Sequence, residues 1–297
     1  MENYQLLITG FDKDRQGIGN VLKCLITGLS INDDTKIRCV PDYVYGAYHE
    51  VLDDAFIEDQ THQTHQTHQT QPTQPTQPTA KEQVPIVTCR FNLLYYEDEY
   101  QDDLPNEETS IQPIHPRLFH WYFSRKKRID WYYDPALVHP RVRARILKAM
   151  DKIQWKPIVG ETVERWHQAF SGAPSLGVSV RTWKADHEKD VKRPYASEVY
   201  LNQIDEVLRR HPEVRTIVLS FDCPTAREEY ITALSRTHPD RALVVLSHLP
   251  HLSPIQYAVT KAHTLARCTH FIGNRISTFS ELVYWFGRCQ AKVYPVF

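Results

Sequence analysis

Two places in this chain end an apolar run in side chains able to hold an anion, and a third ends in a hydrogen-bond acceptor. Leu176–Arg181 (LGVSVR) closes on an arginine, whose planar fork can bond a phosphate in a bidentate way that a lysine cannot reproduce. The stretch FIGNRISTFSELVYWFG passes from a strand-like His270–Ile272 through Gly273–Arg275 into Ser277, Thr278, Phe279 and Ser280. Hydroxyls and N–H groups at such a helix start meet the positive end of its dipole. Ile217–Pro224 (IVLSFDCP) places Asp222 at a strand end, where a carboxylate can accept hydrogen bonds from a base or ribose. Each has a plainer alternative: a surface arginine, ordinary N-capping by Ser or Thr, and a carboxylate capping the helix near Thr225. Capping leaves Phe279 without a role, whereas an aromatic ring beside the loop can stack on a nucleobase.

A fourth place is GIGN, residues 17–20, inside ITGFDKDRQGIGNVLKCLITGLSI. Gly17, Gly19 and Asn20 follow a strand and open a helix, where backbone N–H groups can meet an anion or a sugar hydroxyl. Leu22 occupies the third glycine of a dinucleotide fingerprint, and the Lys-Ser/Thr pair of a Walker loop is absent, so a tight turn explains GIGN equally well. Asp12 and Asp14 just precede it and are the favoured general bases for activating a hydroxyl. His49, Glu50, His120 and Asp130 stand further off, and the aromatic stretch His120–Tyr133 offers rings against which sugars can stack, although core packing suits most of those rings.

The elements that would carry these residues alternate. Tyr4–Thr9, Val21–Ile31 and Lys36–Val40 predict a strand–helix–strand unit. Two helical patterns fill residues 140–170. Strand-like Leu176–Arg181, Thr216–Ser220, Ala242–Leu246 and His270–Ile272 then alternate with helix-like Ala196–Arg210, Thr225–Thr237 and Ser253–Arg267. The pattern predicts an α/β protein of two Rossmann-like domains, residues 1–155 and 156–297, each with a mainly parallel sheet. Ligands of such sheets lie at the carboxyl ends of the strands, where Arg181 and Asp222 fall.

Residues 61–79, THQTHQTHQTQPTQPTQPT, are two triplet repeats that cannot bury a core, so a disordered insertion is expected at about 58–82. Its three histidines are a weak metal-binding set, and no metal site is assigned. Tyr95–Asp103 (YYEDEYQDD) reads as a solvated face or loop. A net charge of −1, with only the local basic clusters Arg125–Arg128 and Arg141–Arg145, argues against a nucleic-acid partner. The six cysteines are scattered without a C-x-x-C pair, and neither a signal peptide nor an apolar run of about 20 residues is present. These features predict a cytoplasmic protein with no membrane span.

G-x-G-N after the first strand, an arginine ending the first strand of the second half, an aspartate at the next strand end and a terminal S-T-F-S, in that order, resemble the fucosyltransferase superfamily. This covers the protein O-fucosyltransferases and the α1,6- and α1,2-fucosyltransferases. QGIGNVLKCLITGLSI looks like their Gly-x-Gly-Asn segment, GVSVRT like their His-x-Arg-Arg strand and STFSELVYWFG like their Ser-Thr-Phe-Ser segment. The resemblance covers about half the chain, roughly residues 5–45 and 140–297. It implies a GT-B arrangement, two Rossmann-like domains facing a cleft, and an inverting transfer with no obligatory metal or cofactor. Arg181 would hold the diphosphate of a nucleotide sugar; Ser277, Thr278, Phe279 and Ser280 would bind phosphate and base; Asp222 would bind the nucleoside. Gly19 and Asn20 would face the transferred sugar and a glycan acceptor. Ser179 and Thr182 replace the family's His and second Arg, and Lys184 stands where an acidic residue usually follows, with Asp186 and His187 close behind. These departures leave the donor open between a GDP-fucose-like sugar and another, such as UDP-xylose. The chain also resembles cytosolic glycosyltransferases of large algal viruses, for which the compartment would be the host cytoplasm.

Two rival readings differ in class. One is a non-catalytic nucleotide- or glycan-binding protein on a degenerate transferase scaffold, suggested by the altered residues around Arg181. The other is a metal-dependent GT-A-like enzyme using Asp33–Asp34 or Glu97–Asp98–Glu99, against which the alternation of strand and helix in both halves argues.

Overall fold

The computed structural model describes residues 5–9, 18–19, 22, 25–26, 29, 36–39, 48–60, 86–90, 93–96, 140–182, 196–274 and 277–296. Within them the chain forms two sheets flanked by helices. Strands β1 (Gln5–Thr9) and β2 (Lys36–Cys39) pair in parallel, as predicted. On the other edge of β1 lies β3 (Ile86–Arg90), also parallel, which pairs antiparallel with β4 (Leu93–Tyr96). The first sheet therefore runs β2-β1-β3-β4. Strand β4 takes in Tyr95 and Tyr96, where the sequence suggested a loop. Leu22, Leu25, Ile26 and Leu29 are helical and buried, the spacing of one helix face, and they place a helix between β1 and β2.

The second sheet is entirely parallel, in the order β7-β6-β5-β8-β9. Its strands are β5 (Ser175–Val180), β6 (Thr216–Phe221), β7 (Ala242–Val245), β8 (His270–Asn274) and β9 (Lys292–Val296). Strands β5, β6 and β8 are buried along their whole length, which is why their sequences read as unbroken apolar runs.

Helices cover both faces. Beyond the short α1 (Asp54–Gln60), they are α2 (Pro140–Asp151), α3 (Pro157–Gln168), α4 (Ser197–Arg210), α5 (Arg227–Thr237), α6 (Pro254–Leu265) and α7 (Thr278–Phe286). Leu176, Val178 and Val180 of β5 pack with Tyr200 and Ile204 of α4 and Tyr230 of α5 on one face. Val218 and Phe271 pack with Ala262 and Leu265 of α6 and Val283 of α7 on the other. Close approach on that side depends on Gly177, where a Cβ would sit 3.1 Å from Cys268 Sγ and 3.2 Å from Leu265 Cδ2.

The order turns at β5. The chain proceeds outward through β6 and β7, then crosses back to β8 and β9 on the opposite side. A crevice opens at such a switch point because the connections leaving the two central strands diverge to opposite faces. Here the switch point lies beyond the carboxyl ends of β5 and β8, which pair directly.

Residues 48–57 dock against the second sheet's helices. Leu52 bridges to Trp155, Asp53 N–H donates to Gln154 O at 2.9 Å, and Lys156 N–H donates to Val51 O at 2.9 Å. Gln256 Nε2 donates to Glu50 O at 2.8 Å, and Ser253 Oγ donates to the Glu50 carboxylate. Trp155 stands edge-on to His263 and Phe286, whose rings stack 3.9 Å apart.

Candidate active site at the switch point

Arg181 is the first residue beyond β5, and Asp222 the first beyond β6. Both Asp222 carboxylate oxygens accept from Thr182 N–H, at 3.0 and 2.9 Å, and one also accepts from the Thr182 hydroxyl at 2.8 Å. Arg181 Nη1 lies 3.5 Å from the other, with the Arg and Asp side chains 19% and 7% exposed. Arg181 N–H donates to Tyr200 Oη at 3.0 Å. Backbone and guanidinium are therefore both held at the strand end, the preorganisation that charge stabilisation requires.

This changes the reading of Asp222. The 3-10 turn Pro224–Ala226 begins after Cys223 without a side-chain cap, so Asp222 does not serve as its cap. Its oxygens are turned on Thr182 and Arg181 instead. Asp222, a nucleoside contact by the motif resemblance, also ties down the end of β5 through Thr182 and Arg181.

Across the switch point, β8 delivers α7. Ser277 is its N-cap, accepting from Ser280 N–H at 3.5 Å, and Ser280 Oγ accepts from Asn274 N–H at 3.1 Å. Both serines are buried, at 5% and 0% exposure. Ser277 caps the helix, and Ser280 ties its first turn back to the end of β8. Thr278 and Phe279 are partly exposed and occupy the first helical turn, whose N–H groups have no intrahelical partner. Phe279 also packs against the core beneath α7. Gly273, within β8, leaves no room for a side chain: a Cβ there would meet the Phe271 ring at 2.6 Å and Ser280 Cβ at 2.9 Å.

Gly19 reaches the same place from the other half of the sequence. It is buried in helical backbone, and a Cβ on it would lie 2.9 Å from Thr278 Oγ1 and 3.3 Å from Phe279 N. GIGN and STFS, some 260 residues apart in the chain, are thus in contact. Gly17, Asn20, Asp12 and Asp14 lie outside the described residues, as do Lys184, Asp186, His187, His120, Asp130 and the acidic pairs of the GT-A reading. Glu50 accepts from Ser253, and His49 Nδ1 lies 3.4 Å from Asp54 Oδ1.

Lys261 is the residue that sequence reasoning missed. It lies on α6, 8% exposed, with Nζ donating to Phe221 O at 2.9 Å, 4.4 Å from the Tyr257 ring centroid and 5.9 Å from that of Phe279. Burial pulls its ammonium down to about 8; Asp222 opposes the shift and Arg181 adds to it. Burial also pushes the Tyr257 hydroxyl up to about 12, and this hydroxyl donates to Leu246 O at 2.7 Å. The available signal was a lysine on a helix whose other residues at 259–265 are nearly all apolar or hydroxylated.

A set of possible metal ligands occurs at the opposite edge. His211, Glu213 and His270 each offer an atom within 4.8 Å of the others. Protein groups already engage them: His211 Nδ1 lies 3.1 Å from Glu213 Oε1, Tyr294 Oη is 2.8 Å from His211 Nε2, and Thr269 Oγ1 is 3.0 Å from His270 Nδ1. The Lys292 ammonium, 3.5 Å from His211 Nε2, disfavours a further cation. Glu213 precedes β6 and His270 opens β8, so this cluster lies at the amino end of the strands, away from Arg181.

No family model and no curated protein matches the chain. Solved structures do. The α1,6-fucosyltransferase NodZ soaked with GDP-fucose is 16% identical over 98% of this chain and 93% of its own, with a TM-score of 0.49. NodZ from Bradyrhizobium is 15% identical over 95% and 93%, with a TM-score of 0.48. POFUT1 in complex with GDP is 12% identical over 100% and 98%, with a TM-score of 0.47. At such identities, function has to be read from this chain's own residues.

Proposed function

We propose that the protein is a glycosyltransferase that moves a sugar from a nucleoside-diphosphate sugar to a glycan hydroxyl. The observation that carries this reading is an arginine fixed at the switch point of a parallel sheet, beside a helix start that also receives Gly19. A leaving diphosphate develops negative charge as the glycosidic bond breaks. Arg181, immobilised by Asp222 and Tyr200, offers charge-assisted donors there without reorganising, and the first N–H groups of α7 add further donors. Together they supply the positive charge that a divalent ion would otherwise provide, so the reading includes a metal-independent transfer.

Residues 156–297 form the donor side in this reading, and residues 1–155 bring the acceptor side to the cleft through Gly19 and Asn20. Phe279, partly exposed at the α7 start, stacks on the base. Asp14 or Asp12 deprotonates the acceptor hydroxyl, and attack opposite the leaving group inverts the anomeric carbon. The motif resemblance favours a GDP-fucose-like donor, with UDP-xylose as the competitor.

A thermal-shift screen of GDP, UDP and their sugars identifies the nucleotide, since a ligand that binds only the folded state raises its melting temperature. Arg181→Ala is then expected to lower donor cleavage by about 10²–10³-fold or more while leaving the melting temperature of the free protein within a few degrees. Retained cleavage refutes the assignment of Arg181. A nucleotide-induced shift with no release of nucleotide from any sugar refutes catalysis and leaves a binding protein.

A further inference from the structure

We propose that Lys261 is a positioning residue for the diphosphate, fixing the end of β6 beneath Asp222 and supplying a second positive charge to the crevice. The inference rests on the nucleotide-sugar reading above and adds to it a residue outside every motif considered. Its ammonium reaches the carbonyl of Phe221, the residue that leads directly into Asp222. Asp222 in turn orients Arg181 and Thr182. The same ammonium faces the ring of Phe279 at the α7 start. One buried cation is thus linked to both rims of the crevice, the β6 end and the α7 start.

Packing alone does not call for a lysine here. A methionine or leucine would fill the space without the cost of desolvating an ammonium. The charge itself has an effect. Arg181 and Lys261 against Asp222 leave one net positive charge at the strand ends, and loss of the Lys261 proton leaves none. The groups that act on this ammonium among the described residues are Asp222 from the β6 end and Arg181 from the β5 end. Tyr257 from its own helix, itself within the field of Arg227, stays neutral over the working range. An arriving diphosphate adds negative charge beside Lys261, favours its protonated form, and so draws in a proton when binding occurs near or above pH 8.

The test is calorimetric binding of GDP and GMP, or UDP and UMP if the uridine nucleotide is the one bound, to the full chain at pH 7.0 and 8.8. Taking the diphosphate relative to its own monophosphate cancels titration of the base. For the wild type, the diphosphate preference is expected to fall about fivefold over this range, following the protonated fraction of an ammonium that titrates at about 8. Repeating pH 8.8 in two buffers of different ionisation enthalpy is expected to show net proton uptake. Lys261→Met should bind the diphosphate weakly at both pH values without uptake, and Lys261→Arg should restore binding and remove the alkaline loss. A preference independent of pH with no proton uptake overturns the inference, as does Lys261→Met behaving like the wild type. If Lys261→Met does not fold, the wild-type measurements decide alone. A wild type that binds no nucleotide overturns the underlying reading, and this inference falls with it.

Discussion

Gly19 and Thr278 are in van der Waals contact so close that the smallest side chain on Gly19 would press into the Thr278 hydroxyl at 2.9 Å. The contact joins the two halves of the sequence at the rim of the Arg181 crevice. Gly19→Ala sets a helix-propensity gain of about 1 kcal/mol against this overlap and the backbone at 3.2–3.3 Å, which can yield only by displacing α7. A net loss of about 1–2 kcal/mol is expected in denaturant titrations, together with weaker nucleotide binding. Thr278→Ala removes the nearest atom, so the double variant should recover part of the stability; strict additivity of the two would show that they do not touch.

Asp222→Asn keeps the shape of the carboxylate while removing its charge and turning part of it into a donor that Thr182 N–H cannot use. A loss of about 2–3 kcal/mol of stability is expected. Donor cleavage should fall nearly as far as in Arg181→Ala, because the guanidinium loses its orienting partner. Unchanged kinetics in a folded Asp222→Asn protein would remove Asp222 from the positioning role.

His263 is half-buried against Phe286 and Trp155, and desolvation there holds it neutral down to about 3, with the Arg267 charge adding to the shift. Its folded pKa lies below the unfolded value near 6.5, so below pH 6.5 the unfolded chain takes up a proton that the native protein refuses. Stability is therefore present in full above pH 6.5 and is lost as pH falls from 6.5 toward 3. His263→Phe keeps the stacking and removes the titration. Denaturant midpoints between pH 7 and 4 should decline less steeply for this variant, and parallel curves would contradict the assignment.

Trp155→Ala empties the space between residues 48–57 and the α6–α7 layer. The expected cost is about 3 kcal/mol in a denaturant titration. Among the described residues Trp155 meets Leu52, His263 and Phe286 rather than Arg181 or Asp222, so nucleotide affinity should change little while the protein remains folded, which separates this packing role from that of Gly19.

The second sheet was largely legible in the sequence because strands buried on both faces leave apolar runs, as LGVSV and TIVLS do. Strand β9 escaped because it is short, carries Lys292, and contains Pro295, a residue tolerated at the sheet edge it occupies. Strands β3 and β4 escaped because they follow the repeat and run into the acidic segment, where composition suggested solvent. Arg181 and the STFS turn were legible because chemistry in parallel sheets gathers at strand ends. The bonds of Asp222 to Thr182 were not, since a carboxylate offers the same acceptors to a ribose as to a neighbouring N–H. Lys261 was hidden by the general habit of lysines to face water.

Residues 48–57 meet Gln154, Trp155, Lys156, Ser253 and Gln256 at one spot, while Gly19 meets Thr278 at another. Among the described residues the first connection is made of several hydrogen bonds and the second of steric contact between Gly19 and the Thr278–Phe279 backbone and hydroxyl. A movement that parts Gly19 from Thr278 while those bonds hold is a rotation about residues 50–54 and 154–156.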